Sequence, residues 1–307
     1  MSSSDSTGQK LRAPIVKIQR FSLHDGPGVR TTVFLKGCPL GCKWCSNPET
    51  QSAAPELLIQ RTLCDRCGKC VPLCPAESLR LSDGHLAIDR QRCTACGICA
   101  GACAREALSI CGKEMTVGEV LAEIKKDAVF FDEEGGVTIS GGEPLLYPDF
   151  LVELAAVLKQ AGIPVILDTS GYADWKTVAD VIPLFDEVFF DVKSLCADRH
   201  LAYTGVNNGQ ILENLKRIAA AGIPVSLRYP MIPSVNDGEA DLRSLAALAK
   251  SLSQYKRVYL LPYHSFGSMK YDMLDLFYPM GDVKRHTAEQ INVACAFLEA
   301  EGLRVQR

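Results

Sequence analysis

The sequence predicts an α/β protein built on a parallel sheet and interrupted near its start by a small cysteine-rich module. Three observations carry that expectation. Beyond Lys113, apolar strand segments alternate with amphipathic helical ones, the pattern of parallel strands joined by helical crossovers. Between about Leu58 and Ile110 the alternation lapses into short segments punctuated by cysteines. And "AGIPVILD" at Ala161 is echoed by "AGIPVSLR" at Ala221, a recurrent connection in which Gly ends a helix and Pro begins a strand.

In chain order, "APIVKIQRF" from Ala13 and "TTVFLKG" from Thr31 read as strands around the turn cluster "HDGPG" at His24–Gly28. After the cysteine module come the helix "TVGEVLAEIKKDAVFF" and the strand "GGVTISGG", which ends in glycines. The helix "YPDFLVELAAVLKQAG" leads to the strand "IPVILDTSG", and "DEVFFDVKS" is a further strand. "NNGQILENLKRIAAAG" returns to helix before the strand "IPVSLRYP", and "LRSLAALAKSLSQ" with "VYLLPYH" continues the series. These strands look apolar on both faces. About six strand–helix units are too few for a closed eight-fold barrel, so a partial barrel or an open sheet fits the length, with chemistry at the carboxyl ends of the strands. The expected organisation is a flexible tail over 1–12, a core from 13–57 and 113–307, and an insert over 58–112.

Composition narrows the function. The 307 residues carry 33 basic and 36 acidic side chains and no basic run, which argues against nucleic acid as a partner. No apolar run approaches the ~20 residues of a membrane helix and the polar start lacks a secretory signal, so a cytoplasmic protein that does not bind membranes is expected. Thiols stay reduced there, and patterned cysteines point to metal. Eleven of the 14 cysteines fall into three motifs; Cys111, Cys196 and Cys295 stand apart and read as buried apolar residues.

Two motifs share one spacing. Cys64, Cys67, Cys70 and Cys74 read C-x2-C-x2-C-x3-C, followed by Pro75; Cys93, Cys96, Cys99 and Cys103 repeat it, with Ala104 in place of the proline. This is the bacterial ferredoxin pattern for two [4Fe–4S] clusters, in which the fourth cysteine of each run ligates the other cluster. The expected sets are Cys64, Cys67, Cys70 and Cys103 for one, and Cys93, Cys96, Cys99 and Cys74 for the second. A pair of zinc sites is the alternative, although zinc knuckles seldom carry two such runs.

The third motif, Cys38, Cys42 and Cys45, follows a strand directly and stops at three ligands. Three thiolates leave one iron of a cubane open, and an open position distinguishes a metal site that does chemistry. Zinc held by the trio with His24 is the competing reading. C-x3-C-x2-C after a strand resembles the radical S-adenosylmethionine (SAM) enzymes. "HDGPGVRTTVFLKGCPLGCKWCSNPET" resembles, more closely, the signature of glycyl-radical-enzyme activating enzymes, of the longer subgroup with a ferredoxin-like insert. The likeness extends through "SGGEP", "DTSGY", "DVK" and "LPYHSFGSMKY".

The resemblance implies a partial (β/α)6 TIM-like barrel and three [4Fe–4S] clusters, with SAM chelated at the open iron. It places Gly141, Gly142 and Glu143 at the SAM amino group, and Asp168, Thr169, Asp191 and Lys193 around the cofactor. Trp44 is expected beside the adenine, a role compatible with shielding the cluster, and His264 in contact with the cofactor. Lys193, with the three cysteines, is expected to carry the chemistry. Glu143 can accept from an ammonium, Asp from an ammonium or ribose hydroxyls, and Lys can pair with a carboxylate. Two aspartates near the SAM carboxylate would repel it, which suggests a monovalent cation between Asp168 and Asp191. Arg30 and the HDGPG loop mark the family without a derivable role. The implied reaction abstracts hydrogen from a glycine in the C-terminal loop of a glycyl radical enzyme, with flavodoxin or ferredoxin as electron donor and this chain a monomer. A radical maturase acting on another peptide or small molecule, and a pure electron-transfer subunit, are the other readings. The auxiliary motif lies inside the core's first connection with no cysteine pattern after Cys103, which counts against the maturase; the third, three-cysteine motif and nearly 200 residues of α/β sequence count against the electron-transfer subunit.

Overall fold

The computed structural model describes residues 11–82 and 84–307; of the expected flexible tail, residues 1–10 lie outside the described residues. The chain begins with an antiparallel pair, β1 (Arg12–Ser22) and β2 (Arg30–Leu35), joined through the HDGPG turn. It then leaves the sheet for the insert: β3 (Glu56–Ile59), β4 (Leu79–Ser82), β5 (His85–Ile88), the short α1 (Ile98–Gly101) and β6 (Leu108–Cys111). β3 pairs with β6 and β4 with β5, both antiparallel. β7 (Lys113–Thr116) returns to the main sheet along the outer edge of β1.

From there strands and helices alternate. α2 (Val117–Lys125), β8 (Gly136–Gly141), α3 (Pro148–Gln160), β9 (Val165–Thr169), α4 (Trp175–Val181) and β10 (Glu187–Asp191) lead to a helix pair, α5 (Ala197–Thr204) and α6 (Gly209–Ala220). β11 (Val225–Met231), α7 (Glu239–Ser251), β12 (Tyr255–Pro262), α8 (Ser268–Met273), α9 (Ala288–Ala300) and β13 (Val305–Gln306) complete the chain. The sheet order is β7-β1-β2-β8-β9-β10-β11-β12-β13, with every pairing from β2 to β13 parallel. Six full-length parallel strands and an unclosed sheet are what a partial (β/α)6 barrel requires.

Local chemistry accounts for the elements. Thr116 caps α2 by accepting from the Glu119 amide at 3.2 Å, while the Glu119 carboxylate accepts from the Thr116 amide at 2.7 Å. This helix is shorter than the sequence suggests. It stops at Lys125 because Asp127 turns inward, fully buried, to accept from Arg20 and from the Thr31 hydroxyl. The repeated connection is as expected: Gly162 and Gly222, at φ 68° and 85°, take the left-handed conformation that ends α3 and α6.

The strands are not apolar on both faces. Val137, Ile139, Val165, Leu167, Val188, Phe190, Val225, Leu227, Val258 and Leu260 point outward into one core shared with the helices. Their alternate neighbours point inward. Ser140, Asp168, Asp191 and Arg228 line an interior cavity, above a small apolar floor of Ile166, Phe189 and Tyr259. The inner face is polar because it borders a cavity rather than a second packed layer. Arg30 lies lower in the interior, 1% exposed, donating to the Thr138 hydroxyl at 2.7 Å and to the Val137 carbonyl at 2.6 Å. Burial lowers its pKa to about 10, so it stays charged.

Candidate active site

β2 runs straight into the cysteine trio, and backbone contacts hold that loop in place. The Gly37 amide donates to the Thr50 carbonyl at 2.7 Å and the Cys38 amide to Gln51 at 3.0 Å, closing the loop on itself. Gly41 and Lys43 donate to the Thr204 and Tyr203 carbonyls at the end of α5. Trp44 is 6% exposed, with its ring 5.9 Å from that of Tyr203. The loop also rests on "SGGEP". The Glu143 amide donates to the Gly37 carbonyl at 2.8 Å, and a Cβ on Gly142 would lie 2.0 Å from that same oxygen. Gly141 has φ +125° and a Cβ there would meet the Leu35 carbonyl at 2.2 Å. Both positions therefore demand glycine.

Cys38, Cys42 and Cys45 face a cavity of about 490 Å³ at the carboxyl ends of the strands. The same cavity is lined by Trp44, Gly141, Gly142, Asp168, Asp191, Lys193 and His264, so most of the expected site residues converge. Burial pushes the Cys38 and Cys42 thiols up to about 12 and raises Cys45 as well. Ligation to iron must displace those protons.

Opposite the trio sits a chain of charges. Lys193 Nζ donates to Asp191 Oδ2 at 2.7 Å; burial acts to lower its pKa, but Asp191 and the neighbouring anions raise it overall. Asp168 Oδ2 accepts from Ser140 Oγ at 2.7 Å and from Arg228 Nη1 at 3.0 Å. Its carboxyl is raised to about 6, first by burial and then by Asp191, against the lowering effect of Arg228. Asp168 Oδ1 is buried without a partner, an acceptor that the protein itself leaves unsatisfied. His264, just past β12, stacks on Phe266 at 4.5 Å, and burial with Arg285 nearby lowers its pKa, favouring the neutral imidazole.

Two expected residues stand behind the wall instead of on it. Glu143 is fully buried, and its carboxylate accepts from the Leu145 amide at 3.1 Å, the Thr169 hydroxyl at 2.6 Å and the Ser170 amide and hydroxyl at 2.9 and 2.5 Å. Thr169, 1% exposed, spends its hydroxyl on Glu143 and on the Gly171 amide. Neither side chain lines the cavity; together they brace the β8 and β9 ends against each other. Arg228 was the residue missed. Its signal lay in the repeat, where it occupies the position of Asp168. Asn236 was missed too: its amide donates to the Lys193 carbonyl at 2.8 Å and the Pro230 carbonyl at 2.7 Å, holding the lysine's backbone.

In the insert, the two cysteine runs fold alike. Arg66, Gly68 and Glu77 have positive φ, and so do Ala95, Gly97 and Glu106, each 29 residues later like the cysteines themselves. Cys74 comes together with Cys93, Cys96 and Cys99 around one small cavity, while Cys70 faces Cys64, Cys103 and Cys67. The fourth cysteine of each run thus crosses to the other set.

A family model described as the radical SAM superfamily matches residues 90–246. The chain belongs to the radical SAM superfamily. A 4Fe-4S dicluster domain model matches residues 63–108 of this radical SAM protein. The isethionate sulfite-lyase activating enzyme of Nitratidesulfovibrio vulgaris is 44% identical, over 91% of this chain and 93% of that one. The benzylsuccinate synthase activating enzyme of Thauera aromatica is 43% identical, over 96% and 92%. Within the superfamily the chain therefore stands among the activating enzymes of glycyl radical enzymes. A radical SAM methyltransferase from Sphaerobacter thermophilus, 18% identical, shares the fold with a TM-score of 0.52 over 90% of this chain and 65% of that one. Membership implies SAM and a [4Fe–4S] cluster, and the dicluster match implies further cluster binding. Among the described residues no helix is long and apolar enough to cross a membrane.

Proposed function

We propose that this chain activates a partner glycyl radical enzyme by reductive cleavage of SAM, with Cys38, Cys42 and Cys45 holding the reactive cluster. The observation that carries the reading is the convergence of three thiols with Asp168, Asp191 and Lys193 on one interior cavity. Such a cluster, when bound, supplies the electron that splits SAM into methionine and a 5′-deoxyadenosyl radical, which takes a hydrogen atom from the partner's glycine.

The chain's own residues position the reactants. Gly141 and Gly142 let the backbone approach the SAM amino group, and the unpaired Asp168 Oδ1 is an acceptor for its N–H hydrogens. Lys193 offers a cation to the SAM carboxylate, while Trp44 and His264 form the adenine side of the cavity. The charge argument for a monovalent cation between Asp168 and Asp191 is partly met by Arg228 and Lys193, which already pair with those carboxylates. The orphaned Asp168 oxygen still supports such an ion, and activity compared across defined sodium and potassium salts tests it. Glu143 and Thr169 serve as braces.

Residues 58–112 act as a ferredoxin-like module with one cluster on Cys64, Cys67, Cys70 and Cys103 and a second on Cys93, Cys96, Cys99 and Cys74; the crossed grouping of these thiols supports that pairing. The module receives electrons from flavodoxin or ferredoxin. The protein works as a cytoplasmic monomer on the C-terminal glycine loop of its partner. Anaerobically reconstituted, reduced protein should release 5′-deoxyadenosine from SAM and, with the right partner, give a glycine-centred paramagnetic signal. Fully loaded clusters with no 5′-deoxyadenosine would end this reading.

A further inference from the structure

The insert is built of two like halves, and the repeat reaches beyond its cysteines. Leu57 is followed 29 residues later by Leu86, and Leu81 by Ile110. Leu57 and Ile110 face each other across β3 and β6, as Leu86 and Leu81 do across β5 and β4. Two glycines show what each ribbon covers. A Cβ on Gly68, between Cys67 and Cys70, would lie 2.9 Å from the Leu81 side chain; one on Gly97, between Cys96 and Cys99, would lie 3.5 Å from that of Ile110. Leu57 and Ile110 also wall the small cavity around Cys74, Cys93, Cys96 and Cys99. The β3–β6 ribbon therefore covers this set, and the β4–β5 hairpin covers Cys64, Cys67, Cys70 and Cys103.

The β3–β6 ribbon is the one that meets the loop of the trio. Glu56, next to Leu57, accepts from Lys36 Nζ at 2.7 Å, and Lys36 stands two residues before Cys38. Cys111, opposite Glu56, directs its thiol at the Glu49 carbonyl at 3.7 Å. Gly112 seats directly on Lys36, whose Cδ would lie 2.5 Å from a Cβ there. Arg90 ties the same ribbon to α8, donating to the Leu57 carbonyl at 3.0 Å and to the Met273 carbonyl at 3.3 Å. The other set starts past the opposite end of the ribbon. The last contact there runs from the Gln60 amide to the Ala107 carbonyl at 2.7 Å, with Cys64 and Cys103 lying beyond it. Glu56 to Gln60 spans about 13 Å at the rise of a strand. Its hairpin faces water, with Leu81 45% exposed where Leu57 is 2% exposed.

Resting on the function proposed above, we propose that Cys74, Cys93, Cys96 and Cys99 form the inner cluster site of the insert, the one coupled to the cluster on Cys38, Cys42 and Cys45, and that Cys64, Cys67, Cys70 and Cys103 form the outer one. The two runs look alike in sequence. What separates them is that only one of their two covering ribbons carries the ionic contact to Lys36.

The test uses the whole protein, anaerobically reconstituted with iron and sulfide and reduced without a partner. The trio's cluster is recognised by the change SAM makes in its paramagnetic spectrum. A second reduced cluster nearby broadens that signal through a dipolar coupling that falls as the inverse cube of distance. The Cys93→Ala, Cys96→Ala double variant empties the inner site and should strip most of the broadening from the trio's signal. The Cys64→Ala, Cys67→Ala variant empties the outer site and should leave the broadening as in wild type. Each should lose about a third of the iron, one cluster of three. Where an alanine pair loses more, Cys96→Ser and Cys67→Ser replace it, since each keeps a cubane with an oxygen ligand that is harder to reduce. In a redox titration the trio's signal should then stay sharp to lower potential in Cys96→Ser alone. Broadening that vanishes with the outer site and survives loss of the inner one would overturn the assignment. So would a wild-type signal without broadening, or one that neither replacement changes; the functional reading would stand in all three cases. A trio that forms no SAM-responsive cluster would end the functional reading and this assignment with it.

Discussion

Replacing Arg228 with methionine should move the pH range in which the protein binds SAM. Asp168 is buried, with its carboxyl at about 6 while Arg228 lies 3.0 Å away. A unit charge at that range contributes ~4 kcal/mol at an effective dielectric near 20. One pKa unit corresponds to about 1.4 kcal/mol, so losing the guanidinium should carry the carboxyl to roughly 8 or beyond. Asp191 pushes in the same direction. The sign follows from what the amino N–H groups of SAM need, an ionised acceptor. In the wild type that acceptor is present above about pH 6 and lost as pH falls through that value. In Arg228→Met it should be neutral at pH 7.5 and recover only in alkaline buffer, while Arg228→Lys should keep most of the wild-type profile. Anaerobic titration calorimetry of SAM against the loaded protein, from pH 5.5 to 9, reads the midpoint directly. A methionine variant whose midpoint coincides with wild type would refute the coupling of Asp168 to Arg228 and the role given to the carboxylate.

Cys42→Ala should abolish 5′-deoxyadenosine formation while iron content falls by only about a third, one cluster of three; loss of most of the iron would show that the trio and the insert are not independent. Gly142→Ala puts a carbon 2.0 Å from the Gly37 carbonyl and 2.8 Å from that of Thr50. The cluster loop must then shift by about 1 Å or more to reach van der Waals distance, so the SAM-dependent change in the reduced cluster's paramagnetic spectrum should vanish; an unaltered spectrum counts against the close approach. Glu143→Gln sets an NH2 against a buried backbone amide, that of Ser170 or of Leu145, leaving a donor without a partner at a cost of ~1–3 kcal/mol. A melting temperature unchanged in anaerobic circular dichroism would show that Glu143 is no brace.

Much of the site was readable because spacing and strand ends are sequence properties. The trio, the two four-cysteine runs, and Asp168, Asp191, Lys193 and His264 all sit where motif and strand end placed them. That the side chains of Glu143 and Thr169 turn away from the cavity was not legible, because a carboxylate after paired glycines reads the same whether it turns inward or outward. Only the fold reveals the four donors waiting behind the wall. Arg228 was passed over because an arginine in an apolar strand has no meaning until β9 and β11 are known to flank β10, which lets it reach Asp168. The long helix drawn through Asp127 ignored a tertiary contact that pulls the aspartate into the core. α9 escaped notice because its apolar residues do not form one stripe: Val293 is 65% exposed while Cys295 and Leu298 are buried.

The position of the insert carries a mechanical consequence. It leaves the core just after the trio and returns through β7, so its base lies against the loop that holds the reactive cysteines. Lys36, fully buried, donates to the Glu49 carbonyl at 2.7 Å and to Glu56 Oε2 of β3 at 2.7 Å. Glu49 also accepts from Lys270 of α8, and the buried Cys111 thiol of β6 points at the Glu49 carbonyl at 3.7 Å. Cluster loop, insert and α8 thus meet at one buried charged junction. Buried ion pairs are poor sources of net stability, because desolvation offsets the attraction, but removing one partner strands the other at a cost of ~3–5 kcal/mol. A junction of this kind therefore tolerates few geometries. It holds the insert at one position relative to the loop that carries Cys45.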